Sequence, residues 1–254
     1  MLSPPIVCVD SVPASRLHEQ LGLVEPFVRP DAPVTRKRLV DWKMEDDDSP
    51  IFRYLYRQLK PTRHLEFGTW KGTGAVYCLE ECNATVWTIN LLNGETLPDG
   101  RWAYADALGN PQSTAGLTVR SGRNNRVIVQ SDARGSIGRE YLERGFGHRV
   151  CQIYCDSTQW DDSNFPDGFF DSVLIDGGHD REVVMSDARK ALRLVRPGGV
   201  VMWHDYCPDE DVLATCSSTK GVYEAIKQMN GALDQSLRDL FWIDPSWILI
   251  GVRR

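Results

Sequence analysis

The sequence contains no apolar run long enough to cross a bilayer, which excludes a helical membrane protein. It has no cysteine framework. Its seven cysteines are odd in number and irregular in spacing, so they read as reduced thiols and not as a disulfide scaffold. Basic charge is not in excess. A net charge of −6 argues against an extended surface for nucleic acid or for anionic lipid. The first residues lack a basic stretch followed by an apolar one, so no secretory signal is expected. Repeats and low-complexity tracts are also missing. These absences leave a cytoplasmic protein as the expectation, with no nucleic acid and no membrane.

What is present is ordinary for a globular chain. The 254 residues, 42% hydrophobic and 25% charged, suffice for one large α/β domain. Residues 1–34 are rich in proline and turn formers, and 1–48 read as an N-terminal arm or cap, with one short helix in "SRLHEQLGL". The domain proper is expected over 49–254. It opens with "EDDDSPIFRYLYRQLKP", where Ser49 can cap a helix, Pro50 fits its first position and Pro61 ends it. The aspartates before it admit a metal site but read as a solvated helix cap.

From there strands and helices alternate. "HLEF", "TVWTIN", "RVCQIYCD", "DSVLID" and "GGVVMWHD" read as strands. "GTGAVYCLEEC", "SIGREYLERG", "DREVVMSDARKALRLV" and "GVYEAIKQM" read as helices. "LFWID" and "SWILIGVR" close the chain as an antiparallel hairpin. The prediction is an α/β fold: a doubly wound, Rossmann-like, mostly parallel sheet of seven strands with a C-terminal hairpin and an N-terminal helical arm. Residues 91–130 break the alternation and read as a lid, a substrate loop or an oligomer insertion. The closing hairpin and the arm are surfaces through which a homodimer could form. Cys78 and Cys82 read as buried small residues, since no further ligand completes a zinc site.

Chemistry concentrates at two places. "HLEFGTWKGTGA" puts Glu66, Gly68 and Gly72 between a strand and a helix, where glycine lets the backbone turn and a ligand approach it. The spacing is not G-x-G-x-x-G, and no Lys-Ser or Lys-Thr follows, so dinucleotides and nucleoside triphosphates are disfavoured. Glu66 suits a cationic ligand. The second place is "IDGGHDREVVMSDARKALRLVRPGGVVMWHDY", where Asp176 ends one strand and His204-Asp205 ends another. His179 follows Asp176 on a glycine loop.

Glu66, Gly68 and Gly72 resemble motif I of class I S-adenosylmethionine-dependent methyltransferases. The second stretch is similar to an IDG-x-H…PGG…HDY pattern found among sugar and natural-product O-methyltransferases of that class. The resemblance spans about residues 50–254. It implies S-adenosylmethionine as cofactor and methyl transfer to a small-molecule hydroxyl or carboxylate. Glu66 and the loop from Gly68 through Thr69 to Gly72 would hold the amino-acid end of the cofactor. Asn90 stands where an acid usually meets the ribose hydroxyls, with Glu95 as a substitute. Asp156 and Ser157 would meet the adenine, and Asp176 would lie beside the methyl donor.

Two chemistries fit the strand ends. His179 can act as a general base, because an imidazole titrates near neutral pH. Alternatively Asp176, His204 and Asp205 can hold a divalent metal, magnesium or manganese, that orients the acceptor. His204 replaces an acid of the similar enzymes and shifts the preference away from magnesium. A metal-centred hydroxylase-like protein and a non-catalytic methyltransferase-like subunit are the rival readings. Trp70, Trp160 and Trp203 flank these loops, as packing or as an aromatic wall.

Overall fold

Apolar runs alternating with amphipathic stretches must bury both faces of a sheet, and the computed structural model shows how. It describes residues 9–30, 38–42, 44–91, 118–121, 127–130 and 137–254. The elements run β1 (Asp10–Pro13), α1 (Leu17–Leu21), α2 (Ser49–Leu59), β2 (Arg63–Phe67), α3 (Thr73–Glu81) and β3 (Thr85–Asn90). Then come β4 (Thr118–Ser121), β5 (Val127–Gln130), α4 (Arg139–Glu143), β6 (Val150–Tyr154) and β7 (Phe170–Ile175). The chain closes with α5 (Arg181–Leu194), β8 (Val195–Trp203), α6 (Glu210–Thr215), α7 (Ser217–Ser236), β9 (Leu237–Asp244) and β10 (Leu249–Arg253).

Eight strands form one sheet in the order β1-β9-β10-β8-β7-β2-β3-β6. The run from β8 to β6 is parallel, and β10 is antiparallel to both of its neighbours. The doubly wound sheet and its closing hairpin are therefore as predicted. The eighth strand is an addition: β1 pairs in parallel with β9, from Asp10 opposite Phe241 to Pro13 opposite Asp244. Its four residues are too few to show a period, and Pro13 is tolerated because the strand lies at an edge. The hairpin is thus covered on its outer side. Short α6 was not expected, and α7 runs well beyond "GVYEAIKQM". The segment 91–130 falls mostly outside the described residues. Its β4 and β5 pair as a separate antiparallel ribbon.

Strand residues alternate between two helical layers, as the period of two requires. Val173, Val201 and Trp203 face Val184, Ala188 and Ala191 of α5 together with Val222 and Ile226 of α7. Leu174, Met202 and Ile250 face Ile51, Phe52 and Leu55 of α2 and Val76 of α3. Leu17 of α1 is fully buried in this second layer.

Winding reverses between β2 and β7. The chain proceeds from β2 to β3 and β6 on one side, then returns to β7 on the other. A crevice opens beyond the strand ends at such a reversal. Backbone bonds hold those ends level: Gly68 N–H to Ile89 O at 2.9 Å, Asp176 N–H to Phe67 O at 2.8 Å, and His204 N–H to Ile175 O at 3.0 Å.

Leu17→Ala should lower stability by about 2–5 kcal/mol, the usual cost of emptying a buried leucine site. Urea denaturation should show one transition shifted as a whole. An unshifted transition would mean that the N-terminal segment does not contribute to the fold.

Candidate active site

At the end of β2, Gly68 adopts φ +96°. A Cβ there would lie 2.0 Å from Asp176 O, so only glycine lets the ends of β2 and β7 come this close. Glu66 points the other way. Its carboxyl is buried beneath the start of α3, where a Cβ on Gly74 would strike Glu66 Oε1 at 2.0 Å. A chain of donors reaches it. Tyr141 OH donates to Gln152 Oε1 at 2.9 Å, and Gln152 Nε2 donates to Thr69 Oγ1 at 2.9 Å. Thr69 and Thr88 hydroxyls meet at 2.7 Å, and Thr88 Oγ1 donates to Glu66 Oε2 at 2.7 Å. Burial pushes the Glu66 carboxyl up to about 8, against the Thr88 hydrogen bond that lowers it.

A cavity of about 280 Å³ opens at the winding reversal. Gly68, Trp70, Asn90, Asp156, Ser157 and Asp176 line it, with Gly177 and Gly178. Of the residues assigned to a cofactor from sequence, Gly68, Asn90, Asp156, Ser157 and Asp176 thus meet around one space. Glu66, Thr69 and Gly72 support its wall from behind and do not line it. Asn90 Oδ1 accepts the backbone N–H groups of Thr69 and Trp70 at 3.1 and 3.0 Å, tying the glycine loop to β3. Asp156 Oδ1 accepts from Thr158 N–H and Oγ1 at 2.9 and 2.7 Å, which closes a turn at the end of β6. Helix α5 pins that turn. Ser157 Oγ donates to buried Asp187 at 3.1 Å, and Lys190 Nζ donates to Ser157 O at 2.7 Å. Burial lifts Asp187 to about 7. Glu95 lies outside the described residues. Of the three tryptophans only Trp70 lines the cavity. Trp203 is buried in the core, and Trp160 packs edge-on against Phe67.

Asp176 belongs also to a second group. Its carboxylate, His179 and Asp205 each offer an atom, all within 4.8 Å of one another. His179 Nε2 lies 2.6 Å from Asp205 Oδ2, yet the approach is off-axis and this buried nitrogen has no aligned hydrogen-bond partner. Asp205 takes φ +57°, a left-handed backbone uncommon outside glycine. Burial disfavours charge on His179, but Asp205 outweighs it and raises the imidazole to about 9. Burial and the two imidazoles oppose one another at Asp205, and the imidazoles win, holding it well below the usual carboxylate range.

His204 is placed differently. Nδ1 lies 3.1 Å from Asp176 Oδ1 and Nε2 lies 3.1 Å from Asp48 Oδ2, so both ring nitrogens are engaged. The surrounding carboxylates raise its pKa well above 6.5 despite burial. Among the described residues the three-atom group that suits a cation contains His179 in addition to Asp176 and Asp205, and not His204. Two carboxylates and one imidazole with an unaligned nitrogen form a donor set that fits a divalent ion. Asp48 corrects the reading of the acidic run as a solvated cap. It is fully buried and makes no side-chain cap bond to α2. No periodicity marks it: beyond Trp42, six residues away, its partners lie 156 residues away in His204 and 199 away in Trp247.

Residues 65–206 match a family model described as a methyltransferase domain. The fold resembles that of an O-methyltransferase from Bacillus cereus in complex with SAH, at 16% identity over 82% of this chain and 80% of that one, with a TM-score of 0.50. It also resembles an SAH-bound methyltransferase from Podospora anserina, at 15% identity over 81% and 77% of the two chains, with a TM-score of 0.50. At these identities the likeness is one of fold. No curated protein matches the chain.

Glu66 makes a pH prediction. Its folded pKa is raised to about 8 from an ordinary 4.5, so the unfolded chain ionises first as pH rises. The group therefore removes stability between these values and has no further effect above the upper one. Glu66→Gln should gain in Tm relative to the parent across this window, with the largest gain near pH 8. A difference independent of pH would show that Glu66 ionises normally in the folded protein.

Proposed function

The chain belongs to the methyltransferase domain family, and on that premise we propose that it transfers the methyl group of S-adenosylmethionine to a hydroxyl oxygen of a small molecule. One observation carries this reading: Asp176 is shared between the cavity at the winding reversal and the His179–Asp205 group. A cofactor in that cavity brings its sulfonium next to the Asp176 carboxylate, which favours a cation. The acceptor then lies on the side of His179. Sugars and secondary metabolites bear hydroxyls of this kind. A carboxylate acceptor needs no base, and the imidazole held by Asp205 supports the hydroxyl.

Methyl transfer is an in-line displacement, so alignment and removal of one proton are what the residues must supply. The new C–O bond forms as the S–C bond breaks, and the sulfur leaves as a neutral thioether. Asp205 Oδ2 lies beside His179 Nε2 as its counter-charge, and the imidazole takes the acceptor's proton.

The raised pKa of His179 favours a second reading, because an imidazole held at about 9 is mostly protonated at neutral pH. Its unaligned Nε2 and the close donor atoms of Asp176 and Asp205 support a bound divalent cation. When bound, that ion would lower the pKa of an acceptor hydroxyl. The three side chains would hold it, and His204 would lie behind them.

Calorimetry should detect binding of S-adenosylhomocysteine, and absence of binding would sink the proposal. A labelled-donor screen of hydroxylated and carboxylated metabolites should give an acceptor. With it, His179→Ala should lower turnover by about 10²–10⁴ while cofactor affinity is retained. Loss of turnover on exhaustive chelation, restored by manganese or magnesium, would assign the cation. Full turnover after chelation would leave the proton to His179 alone.

A further inference from the structure

Asp48 is a buried carboxylate that the proposed reaction leaves unused. It precedes α2 and lies outside the segment that matches the methyltransferase domain. Burying an ionised carboxylate is costly unless every oxygen is answered. Asp48 Oδ1 accepts Trp42 Nε1–H at 2.6 Å and Trp247 N–H at 3.3 Å. Its Oδ2 faces His204 Nε2 at 3.1 Å. These contacts do not cap a helix, and they join three segments distant in the chain.

The link continues through the imidazole. His204 Nδ1 meets Asp176 Oδ1 at 3.1 Å and lies 3.5 Å from Asp205 Oδ2. One oxygen of Asp176 is thereby held from behind, while the residue still lines the cavity. Carboxylates and imidazoles behind a metal ligand commonly fix its orientation in this manner. We propose that Asp48 is a positioning residue: acting through His204, it fixes the carboxylate of Asp176 for a divalent cation held with His179 and Asp205. This rests on the cation reading of the site. It also makes Asp48 part of the working site.

The test is Mn²⁺ affinity of the full chain, measured by electron paramagnetic resonance. Asp48→Asn keeps the size of the side chain and an oxygen for Trp42, but withdraws the acceptor that His204 faces. Its Mn²⁺ affinity should fall by about 10–100-fold, with binding of S-adenosylhomocysteine by calorimetry unchanged. Trp42→Phe removes the indole bond to Asp48 and leaves that of Trp247 N–H; it should lower Tm without changing Mn²⁺ affinity. Wild-type affinity in Asp48→Asn overturns the proposal, as does an equal loss in Trp42→Phe, which would tie affinity to stability alone. If Asp48→Asn does not fold, His204→Gln cuts the same link from its other end and should weaken Mn²⁺ equally; unchanged affinity there overturns the proposal. Absence of Mn²⁺ binding by the wild-type chain overturns the cation reading and this inference with it.

Discussion

Burying the His204 imidazole is the constraint around which the strand ends are arranged. An ionised group withdrawn from water is tolerated only where opposite charge and hydrogen bonds replace the lost solvation. His204 is buried at the end of β8 and meets Asp48 and Asp176 through its two nitrogens. Three elements must therefore converge: the turn before α2, the end of β7 and the end of β8. The parallel register of β7 and β8 supplies two of them, since Ile175 stands opposite Trp203. The third comes from Asp48, just before α2.

The same physical rule gives the opposite outcome at the glycine loop. Glu66 is also buried, but hydroxyls and an amide surround it in place of cations. Burial then raises its pKa and favours the neutral carboxyl, whereas Asp205, beside two imidazoles, is held ionised. Two acids near the ends of β2 and β8, with β7 between them, thus favour different charge. The neutral one braces the turn of the loop, and the ionised one faces the side where chemistry is proposed. Asn90 fits the bracing half, because its side-chain oxygen accepts two loop N–H groups.

Much of the sheet was legible because buried parallel strands are short apolar runs, and "TVWTIN" and "DSVLID" have that form. Helix α5 was legible from the spacing of Val184, Ala188 and Ala191. Strand β1 was not, since four residues ending in proline carry no period. The grouping of Gly68, Asn90, Asp156 and Asp176 followed from their places at strand ends. The direction of Glu66 did not, because both faces of β2 are buried and the strand pattern alone does not tell the two layers apart. Asp187 lies on the apolar face of α5, where a carboxylate is unexpected, and that misfit was the one available sign of its bond to Ser157.

The sequence by itself determined the alternation of elements, the glycine turn after β2 and the acids and imidazoles that end β7 and β8. These are local properties: hydrophobic period, backbone freedom and residue type. Only the tertiary structure decided how the charges pair. It joined His179 to Asp205 and placed His204 behind Asp176. It also drew Asp48 out of an apparently solvated acidic run into the core. The physical reason is distance along the chain: Asp48 and His204 are 156 residues apart, and no local pattern registers the cost of burying a charge until packing brings its partner.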